Sequence, residues 1–104
     1  MPTFEISTTT YDEDISVIQV ALTKIAAICG FEAEFKIAEP VSKFGWTFFD
    51  LILKPNLHLS IEDEFADLLK KSKGSKPQEK FINFLSKFFE SNDCNVKLKL
   101  IEMN

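Results

Sequence analysis

The sequence predicts an α+β domain, a two-layer sandwich with elements in the order β-α-β-β-α-α-β. Three observations carry this. Segments such as 3–10 alternate apolar and polar side chains, the period of a half-buried strand. Phe81, Phe84, Leu85, Phe88 and Phe89 instead recur at the period of a helix with one buried face. The 104 residues are 45% hydrophobic and include eleven Phe, so one domain over 1–104 can fill a core without metal or disulfide.

In the first strand Phe4, Ile6 and Thr8 alternate with Glu5, Ser7 and Thr9. Thr10-Tyr11-Asp12-Glu13 then has the form of a capping box, with acids where a helix N-terminus favours them. The first helix sets Ile15, Ile18, Leu22, Ile25 and Cys29 on one stripe, widened by Val17, Ala21, Ala26 and Ile28, and Gly30 closes it. Phe31, Ala33, Phe35 and Ile37 alternate with Glu32, Glu34, Lys36 and Ala38 as a second strand, and residues 39–43 read as a loop. The third strand is Phe44-Gly45-Trp46-Thr47-Phe48-Phe49-Asp50-Leu51-Ile52-Leu53, which stops at Lys54-Pro55.

After a connection over 55–59, Ser60-Ile61-Glu62-Asp63 repeats the capping-box form. It opens a short helix with Ile61, Phe65, Leu68 and Leu69 on one side, broken by the lysine-rich stretch 70–77. Ser75-Lys76-Pro77-Gln78 starts the Phe-rich helix, since Pro is tolerated in a first turn. Ser91-Asn92-Asp93 ends that helix, and Val96, Leu98 and Leu100 against Lys97, Lys99 and Glu102 form the last strand. With the two late helices taken as one interrupted crossover, this is a split β-α-β arrangement of the ferredoxin-like kind. Right-handed crossovers would put the first and third strands at the centre of the sheet and all helices on one face. A different strand order in another α+β sandwich would use the same elements.

The net charge of −4 is unevenly spread: 1–66 carry eleven acids and four bases, 67–104 five acids and eight bases. Every base is Lys, so no guanidinium fork is available to read phosphate, carboxylate or guanine in bidentate fashion. Nucleic acid is therefore not an expected partner. Nor is a membrane, because no apolar run nears the roughly 20 residues that span one. No basic segment followed by an apolar one opens the chain, and Cys29 and Cys94 are unclustered. Both facts point to reduced thiols in a cytoplasm.

The third strand is apolar on both faces, and that frames the functional question. One parity holds Trp46, Phe48, Asp50 and Ile52, the other Thr47, Phe49, Leu51 and Leu53. Burying the Asp50 carboxylate unpaired under helices would be costly, so Phe49, Leu51 and Leu53 are assigned to the core. Trp46, Phe48, Asp50 and Ile52 then project from the open sheet face beside Glu5, Ser7, Thr9, Glu32 and Glu34. An apolar stripe with a polar, acidic rim is the footprint of a protein interface. Intramolecular cover by a loop or tail is the alternative.

Over six residues, Phe44-Gly45-Trp46-Thr47-Phe48-Phe49 resembles the aromatic third-strand motif of RNA recognition domains, with Phe44 where that motif opens on Gly. The resemblance implies bases stacking on the open sheet. The lack of Arg and the acidic surroundings expected of this face argue against it. Lys70, Lys71, Lys73 and Lys76 could hold an anion, or could simply be a solvated turn after a helix C-terminus. Asp12-Glu13-Asp14 and Glu62-Asp63-Glu64 fall in first helical turns, where capping accounts for them. His58 is the sole His and Cys29 lies on a buried stripe where thiols are usually inert, so no catalytic constellation, cofactor or metal is expected.

These readings lead to a small, acidic, non-catalytic binding protein or inhibitor. Trp46, Phe48, Asp50, Ile52, Glu32 and Glu34 would meet another protein, a basic one for choice, towards which the acids would steer it. Toxin-neutralising immunity proteins and phage-type inhibitors share this size and charge. The alternatives are a homodimer paired through the sheet and an RNA- or small-ligand-binding domain.

Overall fold

The computed structural model describes residues 2–30 and 34–102 and has mixed helix and strand architecture. Five antiparallel strands and four helices follow the order β1 (Thr3–Thr8), α1 (Tyr11–Ile28), β2 (Phe35–Ile37), β3 (Val41–Lys43), β4 (Trp46–Leu53), α2 (Pro55–Glu64), α3 (Ala66–Lys71), α4 (Pro77–Ser91) and β5 (Lys97–Glu102). The sheet order is β2-β4-β1-β5, and β3 also pairs with β4. The first strand and the Trp46 strand are thus central. β1 takes one edge of β4, so β2 and β3 lie end to end along the other, against Leu51–Leu53 and Trp46–Phe48 respectively.

Strand parity sets the core. Phe4 and Ile6 of β1 and Phe49, Leu51 and Leu53 of β4 are buried in one cluster with Ile18, Leu22 and Ile25 of α1, Leu57 and Ile61 of α2, and Phe81, Leu85 and Phe89 of α4. Phe4 stacks on Phe81 with ring centroids 5.8 Å apart, and Tyr11 meets Phe49 edge-on at 5.3 Å. The other parity, Thr3, Glu5 and Ser7 with Phe48, Asp50 and Ile52, is only half-buried. The parity expected from Asp50 is therefore the observed one. Among the described residues no helix is long and apolar enough to cross a membrane.

Several boundaries differ from expectation, each for a local reason. Residues 41–43 are a strand: Phe44 and Gly45 adopt φ of 52° and 79°, which makes a two-residue hairpin with Lys43 opposite Trp46. β4 accordingly starts at Trp46. α2 starts at Pro55, which occupies N1, and Ser60 lies inside the helix with its hydroxyl donating to the Asn56 carbonyl at 2.8 Å. The helix expected to carry Leu68 with Ile61 is interrupted at Phe65, and this turns Leu68 outward at 53% exposure. At the start of α1 Thr10 makes no side-chain cap; Thr8 and Thr10 hydroxyls both donate to the Asp14 carboxylate instead. The first half of the expected second strand, with Phe31, Glu32 and Ala33, lies outside the described residues.

Candidate functional site

Strand register builds the helix-free face. On β4, Trp46, Phe48, Asp50 and Ile52 point away from the helices; on β1, Ser7 stands beside Phe48, Glu5 beside Asp50, and Thr3 beside Ile52. β5 adds Lys97 next to Ser7 and Lys99 next to Glu5. The opposite edge adds Lys36 next to Ile52, Val41 next to Phe48, and Lys43 next to Trp46. Aromatic and aliphatic groups therefore form a stripe along β4, with Glu5 and Asp50 at mid-face and lysines on both margins. The acidic surroundings expected from sequence are corrected here: four lysines share the face, because strands distant in sequence supply its edges. Glu34 precedes β2 and is half-buried, its carbonyl accepting the Lys54 N–H at 3.0 Å. Glu32 lies outside the described residues.

Two details of this face are local to its ends and centre. The Lys97 ammonium sits 5.2 Å from the centre of the Trp46 ring, a cation–π contact that partly shelters the indole. Between the ends of β2 and β3 the chain bulges at Ala38–Pro40 and leaves a depression of about 450 Å³, lined by Glu5, Glu39, Val41, Lys43, Phe48 and Asp50. No ion pair or side-chain hydrogen bond joins Glu5, Glu39 or Asp50 to another described residue.

Phe44 is the residue that the sequence did not single out. It caps the β3–β4 hairpin at 101% exposure, and Val41, opposite Phe48 in the same hairpin, is 53% exposed. Its φ of 52° is left-handed, a region that penalises a bulky side chain and that Asn, Asp or Gly normally fills in such turns. The signal was present as Phe-Gly between two β-forming runs. It was obscured because Phe44 also continues an aromatic run. The hairpin also breaks the resemblance to the RNA-recognition motif, whose first two matching residues here form a turn. Thr3, Glu5 and Ser7 on β1 offer no ring on which a base could stack.

The lysines of 70–76 do not converge. Lys70 pairs with Lys80 around a pocket of about 320 Å³ that also holds Glu62, Ser75 and Phe81. Lys71 faces Lys87 across a separate groove. Lys73 contributes its carbonyl to the Asn83 amide at 2.6 Å, and Lys76 is the residue before α4.

His58 packs edge-on to Phe81 at 4.9 Å, with Nε2 3.2 Å from Glu62 Oε1 but without the alignment of a hydrogen bond. Burial lowers its pKa, and the Glu62 charge opposes that shift. Both cysteines are free. Burial, with a smaller contribution from Asp14, pushes the Cys94 thiol up to about 11. Burial, helped by Glu64, also raises Cys29. Among the described residues no three His, Cys, Asp or Glu side chains converge as metal ligands. Compared with family models, curated proteins and solved structures, the chain matches none.

Proposed function

We propose that this chain is a small non-catalytic protein-binding module or inhibitor that engages its partner through the helix-free sheet face. We read the β2-β4-β1-β5 order, with helices on the other side, as ferredoxin-like with an added β3 hairpin. The observation that carries the functional reading is the row of apolar side chains Trp46, Phe48 and Ile52 on β4, interrupted only by Asp50, beside a fully exposed Phe44 ring on a strained turn. Strain of this kind persists where function retains it. Phe44 and Trp46 would act as anchors, since aromatic side chains dominate interface energetics. Glu5 and Asp50 at mid-face would take a basic side chain of the partner, and the marginal lysines would set orientation. Free thiols at Cys29 and Cys94 agree with a cytoplasmic setting.

The test uses the whole chain as bait in its native cell, beside a Phe44→Asn/Trp46→Ala/Phe48→Ala variant whose fold is checked by circular dichroism. The expected result is a protein retained by wild type and lost by the folded variant. Equal retention by both would eliminate this face. Light scattering decides the homodimer alternative: a concentration-dependent dimer that the same variant dissolves would replace a foreign partner with a second copy.

A further inference from the structure

We propose a second interaction surface, on the helix layer and independent of the sheet face: the groove between α3 and α4 receives an acidic amphipathic helix from another protein. Phe84 and Phe88 of α4 form its floor, Leu68 of α3 is one wall, and Lys71 and Lys87 stand on opposite sides of a space of about 250 Å³. The floor is an aromatic series, with Phe65 5.1 Å from Phe84 and Phe84 6.4 Å from Phe88. Leu68 is 53% exposed at the rim, while Phe84 is recessed to 6%.

Size, charge and backbone each narrow the occupant. The volume falls below the roughly 300–1,000 Å³ of small-molecule sites, so the groove suits one large apolar side chain rather than a metabolite. Neither Lys71 nor Lys87 pairs with a carboxylate of the described residues, and residues 67–91 carry six lysines against three acids. The matching ligand has carboxylates on both flanks of an apolar anchor. Among the described residues, none that lines the groove belongs to a strand that could pair with an incoming main chain, so the occupant must satisfy its own backbone groups, as a helix does. A bilayer is a poor fit because the apolar floor is concave and recessed. A second copy is the competing occupant, and concentration-dependent shifts at α3 and α4 without peptide would reveal it and overturn the proposal.

The probe is a synthetic amphipathic peptide of about 16 residues, long enough to hold a helix, with Leu and Phe on one face and Glu along both flanks. Two-dimensional amide NMR of the full chain should show saturable shifts confined to α3 and α4. Leu68→Glu and Lys71→Glu/Lys87→Glu, all at exposed positions, should each weaken binding at least about tenfold, whereas Trp46→Ala/Phe48→Ala should leave it unchanged. Equal binding of a scrambled peptide or of one with Glu replaced by Lys would overturn the proposal. So would shifts outside the groove, no binding at millimolar peptide, or binding only to vesicles of phosphatidylserine and phosphatidylcholine.

Discussion

Phe44→Asn should make this protein more stable, although it removes an aromatic residue. Phe44 occupies the first position of a two-residue turn with both φ values positive, followed by Gly45. The left-handed region costs an L-residue about 1–2 kcal/mol, and Asn recovers much of that because its short side chain tolerates the geometry. Asn-Gly is also the favoured pair for this turn. The ring is fully exposed, so its loss gives up no buried surface to set against the gain. A net gain of about 1 kcal/mol corresponds to a Tm rise of about 4–8 °C for a domain of this size. Calorimetry and urea unfolding are the assays, with the midpoint shifted at unchanged m. Phe44→Ala is the control: it removes the ring but keeps the strain and should stay near wild type. Phe44→Gly should gain less than Asn, because Gly loses more freedom on folding. The reasoning fails if Phe44→Asn is destabilising, which would mean that the ring packs on its own chain. It also fails if Phe44→Ala gains as much, since strain would then not be the cause.

Two titratable groups give further predictions. At about pH 8 a thiol reagent should label Cys29 alone, with Cys94 reacting only once urea unfolds the chain, since burial holds its pKa at about 11; equal rates in the native protein would contradict this. His58 has a lowered pKa when folded, so the unfolded chain binds its proton more readily. Stability should therefore fall as pH drops below the ordinary value of 6.5 and level off below the depressed one, and His58→Gln should flatten this part of the profile. An unchanged profile in that variant would assign the pH dependence to other groups.

The layered fold was legible because its signals are local. Period-2 alternation marked β1, period-3.6 recurrence marked α1 and α4, and one carboxylate, Asp50, oriented β4. Boundaries were legible where a residue's covalent constraints act alone, as with Gly30 at the end of α1. They failed where two readings of one residue compete. Pro55 ends a strand and starts a helix at once, and Phe44 is both a β-former and the corner of a hairpin. The positive charge at the margins of the candidate face could not be read from local signals. It depends on β5 pairing with β1 some ninety residues away, so Lys97 and Lys99 become neighbours of Ser7 and Glu5 only after folding.

That pairing sharpens what the helix-free face is for. Glu5 and Asp50 stand directly opposite each other on β1 and β4, an arrangement of like charges that destabilises a sheet. Lys99 flanks Glu5, but no lysine lies within ion-pair distance of either carboxylate. Phe44 adds a second cost at the tip of the same surface. The other described non-glycine residue with positive φ is Asp93, which follows the C-cap of α4, where a short polar side chain tolerates the left-handed turn. Its conformation therefore has a structural reason; that of Phe44, fully exposed on its turn, does not. Costs that fall on one face, opposite a core packed without them, are the distribution expected when a surface is kept for contact rather than for folding. A basic group brought between Glu5 and Asp50 would relieve the mid-face repulsion, and a pocket around Phe44 would bury its ring. Both costs would thus be offset by the same event, the arrival of the proposed partner.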